Sequence, residues 1–179
     1  MERKGPFHPA VMIGVLVLGL AGTTGAVEFV GGTGESNDPY QVATAAQLTS
    51  IGSDANLQEK HFVLIADIDM DPNVLGDEMS ISGLALSAGS LDGDGHKILN
   101  LRLSSGRRGE GAPALFESIG PSAIIRDLLL EGTYTSTDSD LSRAGMLARR
   151  NEGLILNCHV EGSLSANSGG GAWWRRILE

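Results

Sequence analysis

The residues best suited to chemistry in this chain are carboxylates gathered between positions 67 and 96. Asp67, Asp69, Asp71, Asn73 and Glu78 fall at positions 1, 3, 5, 7 and 12 of a calcium-loop spacing, where alternate oxygens wrap one ion and a last carboxylate closes the shell. The sixth position needs a glycine for the bend and holds Pro72 instead, while Ile68 and Met70 carry on a strand alternation. Solvated aspartates at a strand end are therefore expected. Asp92 and Asp94, with His96 beside them, offer the paired carboxylates that cleavage of a sugar polymer requires. Each of these aspartates precedes a glycine, and Asp-Gly already accounts for itself as turn chemistry. Cys158 is the one cysteine, so no internal disulfide forms. It is expected to be a small buried hydrophobe, with alternation turning its basic neighbour His159 to the other face. No His-Glu-x-x-His and no Gly-x-x-x-x-Gly-Lys-[Ser/Thr] occurs. No catalytic, cofactor-binding or metal-ligating residue is assigned.

The elements that must carry these residues follow from composition. The chain has 179 residues, 25 of them glycine, and only 4% are aromatic. Each glycine inside a helix costs about 1 kcal/mol against alanine, so a helical bundle is disfavoured and short strands joined by glycine turns fit better. The net charge of −9 repels phosphate backbones and anionic bilayers, which argues against nucleic acid or a lipid surface as partner. Gly106-Arg107-Arg108-Gly109 and Arg149-Arg150 are small basic patches read as solvated turns.

A phrase repeats along the chain. Ile98-x-Asn100-Leu101-x-Leu103 returns as Ile125-x-Asp127-Leu128-x-Leu130 and as Ile155-x-Asn157-Cys158-x-Val160. A period near 30 residues is the mark of a solenoid of stacked units. In register, Cys158 would share a position with Leu101 and Leu128, and Asn100, Asp127 and Asn157 would form one polar column bonded along the stack.

In chain order, residues 1–26 read as a secretory signal: Arg3 and Lys4, the apolar run Val11 to Leu20, then Thr24-Gly25-Ala26 at the cleavage point. Residues 27–60 form an amino-terminal cap. Within it Thr44 caps a short helix over Ala45–Ile51, Gln47 completes a capping box, and Ala45, Leu48 and Ile51 share the buried face. Residues 61–166 carry the coils. His61 to Asp71 is the clearest strand, Phe62, Leu64, Ala66, Ile68 and Met70 alternating with His61, Val63, Ile65, Asp67, Asp69 and Asp71, and it is expected to start buried on both faces and end at a wet edge. Gly120-Pro121 and Glu152-Gly153 read as turns.

Three blocks in order resemble the secreted bacterial proteins with GLUG repeats. They are Gly31-Gly32-Thr33-Gly34 with Asp38-Pro39-Tyr40-Gln41-Val42-Ala43-Thr44-Ala45-x-Gln47-Leu48; Lys60-His61-Phe62-x-Leu64-x-Ala66-Asp67-Ile68-Asp69; and Leu91-Asp92-Gly93-Asp94-Gly95-His96-x-Ile98-x-Asn100-Leu101. The likeness covers residues 31–166 and implies a right-handed parallel β-helix, all-β apart from the short capping helix. Related repeats occur in the non-catalytic region of some IgA-cleaving peptidases. The namesake corner is altered: Ala114-Leu115-Phe116-Glu117 and Gly145-Met146-Leu147-Ala148 stand in its two places, and Glu117 and Ala148 replace glycines at a tight bend.

The resemblance implies a non-catalytic secreted or cell-surface protein, a structural or adhesive stalk whose partners would be surface polysaccharide or other surface proteins. Its alternative is a carbohydrate-active β-helix enzyme, a polysaccharide lyase or hydrolase. Residues 167–179 break the pattern, since Ala172-Trp173-Trp174 stands where another Gly-Leu-Val corner belongs. A shifted reading frame there can encode that corner, so a frameshifted or truncated array is expected. Leu154 to Val160 would then leave an uncapped edge through which chains self-associate.

Overall fold

The computed structural model describes residues 27–71, 83–105, 114–136, 145–167 and 172–178. The signal at 1–26, Asn73, Glu78 and the Gly106–Gly109 patch lie outside the described residues. Ten strands and one helix follow in order: β1 (Tyr40–Val42), α1 (Ala45–Ser53), β2 (His61–Leu64), β3 (Ile68–Asp69), β4 (Leu84–Asp92), β5 (Lys97–Ser105), β6 (Phe116–Arg126), β7 (Leu129–Ser136), β8 (Leu154–Leu156), β9 (His159–Asn167) and β10 (Ala172–Leu178). A 3-10 turn, Ala55–Leu57, follows α1. The described residues are all-β apart from these helical pieces.

From β2 to β9, successive strands do not pair with one another. They are dealt alternately to two five-stranded sheets, sheet one in the order β1-β2-β4-β6-β8 and sheet two in the order β10-β9-β7-β5-β3. Every pairing is parallel except β9 with β10. Parallel neighbours need a long connection. Here one circuit of the chain supplies it, so Ile68 meets Ile98 and Ile125 meets Ile155, each 30 residues on.

Apolar side chains stack in columns between the sheets. Tyr40, Phe62, Leu91, Ile125 and Ile155 form one column, and Ile68, Ile98, Leu130 and Val160 the facing one. Phe62, Ile98 and Ile125 are fully buried. Each such side chain contributes roughly 1.5–3 kcal/mol over its exposed state, enough to fix a register that a one-residue slip would turn inside out. Phe29 stacks on Tyr40 with centroids 4.6 Å apart and tilts against Phe62, extending the core to the first described residues.

The helix forms as its sequence dictates. Thr44 accepts the Gln47 N–H, and the Gln47 side chain accepts the backbone N–H groups of Ala43 and Thr44 at 2.8 and 3.2 Å. Its amide also donates to the Glu28 carbonyl at 2.8 Å, which ties the amino-terminal segment to the helix. Ala45, Leu48 and Ile51 join the same core as the strands.

Four expectations need correction. His61 to Asp71 is not one strand: it turns a corner after Leu64, and β2 and β3 lie in different sheets. Burial of Phe62, Leu64, Ile68 and Met70 continues across the corner, which is why the sequence reads as unbroken. The hexads at 125 and 155 stack, whereas the one at 98 is displaced: Leu91 pairs with Ile125, and Ile98 with Leu130. Gly120-Pro121 is no turn, for β6 runs through it with a bulge opposite β4, a place where a strand tolerates proline. Finally, the edge of β9 is not open. β10 pairs with it antiparallel along seven residues, so β8 and β10 are the last strands of the two sheets at that end among the described residues.

Candidate functional site

The corner between the sheets explains the Asx residues repeated at 127 and 157. Asp127 and Asn157 sit there with φ of 53° and 49°, a left-handed conformation that Asn and Asp tolerate best among side-chain-bearing residues. The Asn157 amide donates to the Asp127 carboxylate at 2.5 Å. One circuit earlier the corner is longer by two residues. Asp94 and Gly95 both take positive φ, the His96 N–H bonds the Gly93 carbonyl at 2.8 Å, and the Asp92 carboxylate accepts the Asp94 N–H at 2.9 Å. Asp94-Gly95 is thus the tight turn its sequence announces. Asn100 does not belong to this column. It lies inside β5 with φ of 57°, where the β5–β7 register shifts, and donates to Asp69 at 2.9 Å.

The three aspartates of the calcium spacing are engaged by the next circuit. Asp67 accepts the Lys97 backbone N–H at 2.9 Å and faces the His96 ring at 3.3 Å. Asp69 accepts from Asn100 and from the Asp71 N–H, and Asp71 pairs with Arg102 at 3.9 Å. These bonds hold Asp67 and Asp69 below the usual carboxylate range: the Lys97 N–H is the chief cause for Asp67, and the Asn100 amide for Asp69. Among the described residues no three His, Cys, Asp or Glu side chains are grouped to hold a metal ion. Asp92, one of the two carboxylates considered for sugar-polymer cleavage, is ion-paired to Arg126.

Four ion pairs and the Asp67–His96 contact each join one circuit to the next, and each has the same sense. Glu35, Asp67, Asp71, Asp92 and Glu117 lie on the earlier circuit; Lys60, His96, Arg102, Arg126 and Arg149 lie on the later one. The Glu117–Arg149 pair shows how the altered corner is tolerated. Its carboxylate turns outward to the next circuit while Leu115, Phe116, Met146 and Leu147 remain buried.

Cys158 lies opposite Leu128, as expected, but is only half-buried, and the residue paired with Leu101 is Gly132. Its thiol donates to the Leu156 carbonyl at 3.3 Å, and burial pushes its pKa up.

Two grooves and an apolar strip stand out on the described surface. A groove of about 800 Å³ lies between residues 27–32, Tyr40 and α1. A second, of about 540 Å³, crosses the outer face of sheet two, where Arg102, Thr133 and Ser163 form one row and Ser104, Thr135 and Ser165 the next. The third feature is apolar. Ile124, Leu154 and Leu156 stand on the outside of sheet one with 37%, 49% and 45% of their surfaces exposed. The sequence carries a signal for it, Leu-Ile-Leu at 154–156, which is apolar on both faces of a strand.

The class of architecture is shared with a solved protein. The crystal structure named as a "putative immunoglobulin A1 protease" from Bacteroides ovatus superposes with a TM-score of 0.55 at 24% identity, over 76% of this chain and 41% of that one. At that identity the likeness speaks for the fold alone. Among curated proteins, a "Putative Gly-rich membrane protein" of Evansella cellulosilytica is 31% identical over 137 residues, and "Halomucin" of Haloquadratum walsbyi is 28% identical over 147. These matches take in 74% and 76% of this chain but only 16% and 2% of the relatives' lengths. No protein-family model matches the chain. No described helix is long and apolar enough to cross a membrane.

Proposed function

We propose that the chain is a right-handed parallel β-helix of the GLUG-repeat kind, with α1 as its amino-terminal lid, exported to serve as a non-catalytic stalk or contact surface at the cell exterior. The observation that carries this reading is the pair of parallel ladders, in which each circuit rests on the one before through backbone bonds, a continuous apolar column and an outward ion pair. Such a stack is rigid along its axis and presents flat outer faces. The matches to short portions of much longer proteins, one of them named as a membrane protein, support a segment used within extended molecules.

The contact face of this reading is the outside of sheet two. Ser104, Thr133, Thr135, Ser163 and Ser165 set hydroxyls at the roughly 4.8 Å rung spacing, and two residues along a strand set them about 6.6 Å apart. A grid of short donors and acceptors suits an extended polysaccharide, whose own hydroxyls recur on a similar scale. The test is co-sedimentation of the chain with insoluble cell-wall and capsular polysaccharides, with reducing-end release measured on the same samples. Retention without cleavage, weakened by Thr133→Lys with Thr135→Lys, is expected. Release of new sugar ends would establish an enzyme instead. Retention indifferent to those substitutions would remove the assigned face.

A further inference from the structure

The outer face of sheet two carries more than its hydroxyls. Leu130, Tyr134, Val160 and Leu164 are buried, so the residues alternating with them face outward. They form four rows across β7 and β9: Leu129 with His159, Glu131 with Glu161, Thr133 with Ser163, and Thr135 with Ser165. From the first row to the last the strands advance about 20 Å, at about 3.3 Å per residue. The hydroxyl groove takes one end of this track. At the other end, where three circuits meet at the corner, lies a groove of about 420 Å³ lined by Asp94, Gly95, Asp127, Leu129, Asn157 and His159. Glu131 lines the first groove and Leu129, two residues back on the same strand face, lines the second, so the two are continuous.

We propose that the corner groove is a second saccharide subsite, joined to the hydroxyl rows across the Glu131–Glu161 rung, and that the whole track selects an uncharged polysaccharide over an acidic one. This rests on the polysaccharide reading of sheet two and gives it an extent and a specificity. The corner groove is mixed in chemistry. Leu129 is a half-buried apolar floor. The Asp94 carboxylate and the His159 ring are exposed, and neither bonds another side chain among the described residues. Asn157 donates its amide to one Asp127 oxygen, which leaves the amide oxygen and the second carboxylate oxygen open as acceptors. Planar acceptors, an imidazole that donates or accepts, and an apolar floor fit one sugar ring, with hydroxyls at its rim and C–H groups on its face. Charge decides the class of polymer. Asp94, Asp127, Glu131 and Glu161 lie along the track, while the guanidinium of Arg102 faces Asp71. A polyuronate would set carboxylate against carboxylate on a chain whose net charge is already −9, whereas neutral hydroxyls donate to the same oxygens.

The test is co-sedimentation of the full chain with three neutral polymers (cellulose, β-1,3-glucan and mannan) and two acidic ones, cross-linked pectic and alginic acid. Retention on a neutral polymer and not on the acidic pair is expected. His159→Ala with Asp94→Gly should weaken that retention by roughly tenfold, the worth of one or two net hydrogen bonds. Both positions are exposed and glycine accepts the positive φ at 94, so the fold survives, which far-UV circular dichroism checks. Oligosaccharides cut from the retained polymer give a readout that a structural role would not move: long ones should bind the parent chain more tightly than short ones, and the double variant should lose that gain while holding the short ones equally well. Retention untouched by the double variant would overturn the corner subsite and leave the hydroxyl face standing. Equal or stronger retention on the acidic polymers would overturn the selection by charge. No retention on any of the five would remove the polysaccharide reading itself, and the inference with it.

Discussion

Replacing Gly132 by alanine tests whether the rungs of sheet two are as closely fitted as their register implies. Leu101, Gly132 and Gly162 fall on one column of β5, β7 and β9. A Cβ at Gly132 would lie 2.3 Å from the Leu101 carbonyl oxygen and 3.0 Å from the Met146 methyl. Methionine can swing aside, but a carbonyl held in a ladder cannot. Ordinary carbon–oxygen contact is about 3.3 Å, so neighbouring backbones must part by about 1 Å. That stretches ladder bonds from about 2.9 Å to beyond their useful range, at about 1 kcal/mol each, on top of the usual 1–3 kcal/mol for overpacking. A loss of about 2–4 kcal/mol is expected, a large part of a typical 5–15 kcal/mol stability. Urea denaturation followed by circular dichroism measures it. Gly95→Ala is the control: nothing lies within 4 Å of the added carbon, and its φ of 78° leaves only the left-handed penalty, about 1–2 kcal/mol. If Gly132→Ala costs no more than Gly95→Ala, the close fit of these rungs is refuted.

Three further expectations can be checked on the same protein. Asn157→Val should destabilise by about 1–2 kcal/mol, because a branched side chain cannot rest at φ of 49°, whereas Asn157→Gly should cost less; equal losses in urea melts would contradict this. Glu35, Asp67 and Asp69 all titrate below their ordinary values, held chiefly by the Lys60 ammonium, the Lys97 N–H and the Asn100 amide. Carboxylates of this kind add stability that is complete above the unfolded pKa of about 4 and drains away as pH falls through the folded value, so the urea midpoint should drop between about pH 5 and pH 3, and less so in Asp69→Asn. The Cys158 thiol, raised in pKa by burial, should react with a disulfide reagent at pH 8 more slowly than a free thiol and speed up in denaturant; an equal rate in both would show it unburied.

Local signals in this sequence specify local structure. Thr44, Gln47 and the three-residue spacing of Ala45, Leu48 and Ile51 specify a helix end and a buried face without reference to anything distant. Stacking of the hexads at 125 and 155 was legible for the same reason, the two corners being equal in length. The hexad at 98 differs because it lies wholly in β5, past the corner, where Asn100 imitates a corner Asx from inside a strand. Period alone cannot separate a left-handed residue at a corner from one at a bulge. Nor could the pattern show that Gly120-Pro121 is absorbed by a bulge, or that residues 172–178 fold back on β9, since both depend on what the facing strand offers.

The polarity of the ion pairs has a consequence for how such a chain can change. Asp92 meets Arg126 in a column that holds Val63 and Leu156 in the flanking circuits, and Glu117 meets Arg149 at another point of the circumference. Each junction therefore has its own key, cut at a different angle around the axis. Excising one whole circuit and rejoining the ends would leave Asp92 beside Leu156, a lock presented with the wrong key. Although the units look interchangeable in outline, their order along the stack is written into the charges on its surface.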